Sequence, residues 1–160
     1  MSIAPHWRML FAHPLHCLSL GFGTGLSRRA PGTVGSLLGF PLYWGMQSLP
    51  LVQQWALLWG LFTLGIWACH FTGKALGVSD HAAIVWDEVV AMAAVLITVP
   101  TGWGWAVASF ALFRGLDIVK PFPIGWVDRH VAGGLGVMLD DAMAAAVAIL
   151  LLQLAQQVFA

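Results

Sequence analysis

Apolar positions in this chain come in long unbroken runs, not in alternation, and Pro, Gly and small groups of charge punctuate them. A helix that crosses a bilayer needs about 20 mostly apolar residues. Five runs approach that length: Thr33 to Leu49, Leu51 to Phe71, Ala83 to Val99, Gly104 to Lys120 and Leu139 to Phe159. The first, third and fourth are short, as expected of tilted or kinked spans. Two segments lack the pattern, the glycine-rich GFGTGLSRRAPGTVGS and the stretch PFPIGWVDRHVAGGLGVM. Within the latter, GGLG at 133 to 136 reads as a hinge or turn ahead of the last helix. The prediction is an all-α protein, a polytopic membrane bundle of about five spans with charged loops on one side, residues 1–160 forming a single integral-membrane domain.

Composition supports a membrane setting. Of 160 residues, 59% are hydrophobic and 9% charged, with mean hydropathy +0.83, whereas a soluble domain carries roughly 25% charged residues. Trp44, Trp55, Trp103 and Trp105 fall near run ends, where amphipathic rings favour the headgroup region. With 7 Lys+Arg and net charge +0, the chain has no basic footprint for nucleic acid. Cys17 and Cys69 are too few for a disulfide framework or zinc site. Neither is followed six positions later by arginine, so cysteine-phosphatase chemistry is unsupported. His13, Pro14 and His16 interrupt the early apolar patch, which therefore does not read as a removable signal peptide.

Topology follows from the cations, because positive loop charge is retained in the cytoplasm. Arg8, Arg28 and Arg29 precede the first run, Lys74 follows the second, and Lys120 and Arg129 follow the fourth. The alternate connections hold no Lys or Arg. This places the N-terminus in the cytoplasm, the C-terminus outside, and all seven acids near the cytoplasmic helix ends.

Those acids are the candidate chemistry. Asp87 and Glu88 are adjacent in an apolar run, where an ionised carboxylate costs several kcal/mol unless it finds a partner. About 100° apart on a helix, they can border one cavity. Asp140 and Asp141 repeat the adjacency, and Asp117 adds a fifth carboxylate. Hard oxygen donors of this kind suit Mg²⁺ or Mn²⁺. The plainer reading makes each pair a helix-start cap stabilised by the macrodipole. Arg114, Asp117 and Lys120 are spaced three apart and share a helix face, able to grip an anion or to neutralise itself as an ion-pair ladder. Pro121 marks Lys120 as a helix end. In the glycine-rich segment, backbone amides, Thr24, Ser27, Thr33 and Ser36 hydroxyls, Arg28 and Arg29 offer the parts of a phosphate cradle. Gly35 and Gly39 also suit close helix packing. His81 and His130 are the histidines nearest the charged face.

The ordered set GFGTGLSRRAPGTVGSLLG, IVWDEVV, FRGLDIVKPFPIGWVDR and GGLGVMLDDAMA resembles the phosphatidylglycerophosphatase A family from about Gly21 to Ala146. Arg28, Arg29, Ala91 and Ala145 depart from its usual pattern. The resemblance implies a Mg²⁺-dependent lipid phosphatase of the bacterial inner membrane, active on the cytoplasmic side, that hydrolyses phosphatidylglycerophosphate to phosphatidylglycerol and phosphate. Asp87, Glu88, Asp140 and Asp141 would then hold the metal (Mg²⁺, with Mn²⁺ as substitute). Arg28, Thr33, Arg114, Lys120 and Arg129 would hold the substrate. Asp117 would be general base or further ligand, the attack coming from water or through a phosphoaspartyl intermediate. The competing class is a small cation- or proton-coupled transporter using the same carboxylates. A purely structural membrane subunit is a third reading.

Overall fold

Helix boundaries follow the punctuation of the apolar runs. The computed structural model describes residues 5–159, and no strand occurs among them. Two short helices, α1 (Met9–Ala12) and α2 (Pro14–Ser19), lead into a 3₁₀ turn at Gly21–Leu26. There follow α3 (Pro31–Leu37), α4 (Gly39–Met46), α5 (Leu51–Leu76), α6 (Trp86–Ile97), α7 (Trp103–Val119), α8 (Ile124–His130) and α9 (Gly133–Phe159). Proline opens α2 and α3, where its missing N–H costs nothing and its fixed φ favours a helix start. Gly77, at φ 74, closes α5 in the left-handed conformation that glycine tolerates best.

The five predicted spans become helices of unequal length. Helices α5 and α9 are long and apolar enough to cross a membrane by themselves. The expected span Thr33 to Leu49 is instead the pair α3 and α4, joined at Leu38. Pro41 accounts for the break, since it has no N–H to offer the Leu37 carbonyl and its ring crowds that carbonyl. The expected span Ala83 to Val99 shrinks to the 12 residues of α6, nine of them buried. At 1.5 Å per residue α6 is about 18 Å long, well short of a roughly 30 Å hydrocarbon core. Beyond Asp87 and Glu88 in its first turn it is apolar all round because protein surrounds it. Helix α7 has 17 residues.

The last helix departs most from expectation. It begins at Gly133, so GGLG forms its first turn, entered through Gly133 at φ 77, and does not stand ahead of the helix. A Cβ on Gly134 would lie 1.9 Å from the Ile66 carbonyl oxygen, and one on Gly65 would lie 2.7 Å from Met138 Sδ. These glycines let α5 and α9 approach backbone to backbone. Helix α9 packs along α5, α6, α7 and α8. Two apolar clusters result: one around Leu58, Trp86, Val90 and Met138, the other around Met92, Phe113, Ala144 and Ala148. Helices α6 and α9 contribute to both. They form the axis of the bundle, and each carries one of the two acidic pairs.

Candidate metal and phosphate site

Tertiary packing brings the dispersed acids together. Six of the seven acids in the chain (Asp80, Asp87, Glu88, Asp117, Asp140 and Asp141) line one cleft of about 250 Å³, with Arg114 and Lys120. The seventh, Asp128, accepts a 2.6 Å hydrogen bond from Lys120 Nζ. Six carboxylates facing two cations cannot neutralise themselves. Asp87, Glu88 and Asp141 each turn a carboxylate oxygen inward, and these atoms lie within 4.8 Å of one another.

The helix frame explains this convergence. Asp87 and Glu88 sit in the first turn of α6, where Val85 is the N-cap and no side chain caps the backbone. Asp140 and Asp141 lie two turns inside α9, so the cap reading fails for them. Adjacent on a helix, they diverge. Asp141 turns to α6, while Asp140 Oδ2 accepts a hydrogen bond from Lys120. One oxygen on each of Asp87, Glu88, Asp140 and Asp141 is buried without a hydrogen-bond partner among the described residues. Buried carboxylates left so would cost several kcal/mol each. An all-oxygen set of this kind fits a hard divalent cation such as Mg²⁺ or Mn²⁺.

The predicted basic stripe divides in two. Arg114 donates to Asp117 one turn on and lies 3.6 Å from Glu88 Oε1, which ties α7 to α6. Its Nε carries no partner. Lys120 leaves the stripe because α7 ends at Val119 and Lys120 adopts φ 46. It bridges Asp128 and Asp140 instead. Burial disfavours the charge on Lys120, but these hydrogen bonds outweigh it and hold its pKa above the ordinary lysine value. Protein crowding on one side of the exposed Asp80 desolvates its carboxyl and raises its pKa.

The glycine-rich segment contributes backbone. Ala30, Pro31 and Gly32 form a cleft wall. A Cβ on Gly32 would meet Glu88 Oε1 at 2.0 Å and Arg114 Nη2 at 3.1 Å, so only glycine leaves these side chains in place. Thr33 is half-buried one residue beyond this wall, and Arg28 is exposed outside it. Arg129 lines a neighbouring cleft with Asp80, Asp128 and Asp140. His81 accepts from the Ala83 amide, and His130 stacks on Trp126. Neither histidine lines the acidic cleft. Sequence reasoning missed Asp80, Asp128 and Gly32 as parts of the site. Asp80 and Asp128 each lie beside a quoted motif or within it, but nothing local says that they face Lys120.

The placement of all these acids at one end of the bundle disfavours transport, since a translocation path needs polar groups at several depths. Comparison with known proteins agrees. The sequence profile of phosphatidylglycerophosphatase A matches residues 17–156. Phosphatidylglycerophosphatase A of Escherichia coli is 46% identical over 139 residues, covering 86% of this chain and 80% of that protein. Its namesake in Haemophilus influenzae is 43% identical over 148 residues, covering 91% of each. A Bacteroides thetaiotaomicron protein with the provisional name phosphatidylinositol-3-phosphatase is 38% identical over 149 residues, covering 88% of this chain and 92% of that protein. No solved structure matches the chain. A profile match across most of the residues, with two relatives of one name aligned nearly end to end, establishes that the chain belongs to the phosphatidylglycerophosphatase A family.

Proposed function

We propose that this protein is a Mg²⁺-dependent phosphatase of the bacterial inner membrane that converts phosphatidylglycerophosphate to phosphatidylglycerol and phosphate at the cytoplasmic surface. The observation that carries the reading is the cluster of Asp87, Glu88 and Asp141, with its buried unpartnered oxygens. A phosphate monoester brings about −1.5 to −2 charges of its own. It cannot enter a cleft of six carboxylates and two cations unless a further cation comes with it.

Asp87, Glu88 and Asp141 would hold the ion, with Asp140 supplying its free oxygen from the flank. Bound there, a divalent cation supplies charge neutralisation and polarises the phosphoryl group. The remaining roles belong to the chain's own side chains. Arg114, fixed by Asp117 and Glu88, presents its remaining N–H donors to phosphate oxygens. Lys120 has three N–H donors, of which Asp128 and Asp140 take two. The third is free for the substrate. Asp117 orients Arg114 and is placed to accept a proton from an attacking water within the same cleft. The Gly32 wall lets Glu88 and Arg114 keep their places beside the headgroup. Arg129, in the adjoining cleft, reaches the distal part of that headgroup, while Arg28 and Thr33 act on it from outside the wall. Multi-pass insertion, with α5 and α9 crossing the bilayer and the shorter helices packed against them, keeps the lipid's acyl chains in the membrane throughout.

The test is inorganic phosphate release from phosphatidylglycerophosphate in detergent micelles, with and without Mg²⁺. Wild type is compared with an Asp87→Asn variant shown by size exclusion and circular dichroism to be folded. Release that requires Mg²⁺ and disappears in the variant is expected. Absence of release from folded wild type supplied with the metal would sink the reading.

A further inference from the structure

A second cavity, apolar and larger than the acidic cleft, lies between α5, α6 and α9. Its volume is about 420 Å³. Trp55, Trp59 and Phe62 of α5 form one wall, and alanines of α6 and α9, among them Ala94 and Ala146, form the floor. Among the described residues Asp87 is the one charged side chain that lines it, and Asp87 also lines the acidic cleft. The two cavities therefore share a single lining carboxylate. One serves charge and the other accepts only hydrocarbon.

We infer that this groove seats an acyl chain of the same lipid molecule whose phosphate occupies the acidic cleft, an inference that rests on the function proposed above. Three observations carry it. The first is adjacency, since Asp87 lines both spaces, and a ligand with a phosphate at one end and hydrocarbon at the other has a place for each part on either side of that residue. The second is depth. Lining residues run from Asp87 to Ala94 on α6 and from Met138 to Ile149 on α9, about 10 and 16 Å at 1.5 Å per residue. One leaflet of hydrocarbon is about 15 Å thick. The third is the alanine floor. Where α5 and α9 touch, glycines bring the backbones together and no space remains. Along the groove, alanines face the wide rings of Trp55 and Trp59 without closing on them, and Trp59 itself is 65% exposed. Small side chains there leave the space open. A seated chain would also set the depth of its phosphate relative to Asp87, so chain length becomes a determinant of specificity.

The experiment compares phosphatidylglycerophosphate carrying dihexanoyl and dipalmitoyl chains, each in detergent with Mg²⁺. The groove is filled in two separate variants, Ala94→Leu and Ala146→Phe. The expected result is a loss of kcat/KM on the dipalmitoyl lipid at least tenfold greater than the loss on the dihexanoyl lipid, carried mainly by KM. Val107→Phe, on an exposed face of α7 away from the groove, should change neither. Equal losses on the two lipids would overturn the inference. A second readout needs no turnover and no variant: a phosphonate analogue of dipalmitoyl phosphatidylglycerophosphate, which cannot be hydrolysed, with a diazirine on its acyl chain is photolysed with wild type in Mg²⁺. Labels concentrated on groove residues of α5, α6 and α9 are expected. Labels spread evenly over all exposed apolar faces, or cross-links between two protein copies through the groove, would overturn it. If wild type releases no phosphate from either lipid while the label still concentrates in the groove, the phosphatase reading falls and the acyl seat stands.

Discussion

Two buried polar clusters in this protein obey opposite rules. In the first, Ser19 of α2 and Thr72 of α5 share a 2.6 Å hydrogen bond, and His16 Nδ1 lies 2.8 Å from the same Thr72 hydroxyl. Ser19 Oγ also donates to the His16 carbonyl. Every hydroxyl in it has a partner, so the cluster closes on itself and fastens α2 to α5. In the second, Asp87, Glu88, Asp140 and Asp141 each retain a buried oxygen without one. A satisfied cluster contributes to the fold, whereas an unsatisfied one of like charge opposes it until a ligand arrives. The contrast distinguishes a polar cluster that closes on itself from one that leaves room for a ligand, without reference to any relative.

The strongest way to break the comparison is to neutralise one acid of the open cluster. Asp141→Asn should lower Mg²⁺-dependent phosphate release by roughly 10²- to 10³-fold. In EDTA its thermal midpoint should equal or exceed that of wild type, because one uncompensated charge has gone. Mg²⁺ should raise the wild-type midpoint, by about 2.7 kcal/mol of stability at a hundredfold excess over Kd, and leave the variant almost unmoved. A midpoint that falls in EDTA and ignores Mg²⁺ in both proteins would make the acids structural. Next in size is Gly32→Ala, whose added methyl displaces Glu88 or Arg114. Misplacing such a group by about 1 Å can cost roughly 10²-fold in rate, measurable in the same assay, while wild-type rates would show that the wall yields.

The closed cluster should respond in the opposite sense. Thr72→Val leaves His16 and Ser19 without their shared partner and should cost about 1–3 kcal/mol of stability by denaturant titration. Its kcat should stay close to wild type. The smallest effect concerns pH. Burial, with His13 nearby, lowers the His16 pKa below its ordinary value of 6.5. The unfolded chain therefore binds the proton first, and stability present above pH 6.5 declines as pH falls toward the depressed value. Thermal midpoints at pH 7 and pH 5 should differ more in wild type than in His16→Gln, and an equal difference would remove His16 as the cause.

Much of the fold was legible because bilayer-length apolar runs leave few alternatives, and α5 and α9 emerged where the longest runs lie. The errors have local causes. GGLG resembles a breaker when read alone, yet against α5 it is the only residue type that lets α9 begin there. Pro41 was visible within the first run, and its effect on the Leu37 carbonyl was the signal for a broken helix. At the site, Asp87 and Glu88 stood out because charge in an apolar run needs a partner. Arg28 and Thr33 drew notice through composition, which carries no direction, and neither lines the acidic cleft, although Gly32 beside Thr33 does.

By itself the sequence determined that this chain is helical and apolar and gathers its acids near one set of helix ends. Hydropathy and charge position are additive along a chain and can be read residue by residue. Only the tertiary structure decided which carboxylates converge, because adjacent helical residues point about 100° apart. Packing of α9 against α6 sends Asp141 to Asp87 and Glu88, while its neighbour Asp140 turns to Lys120. That choice depends on helix register across the bundle, which glycines at the α5–α9 contact set and no single segment contains.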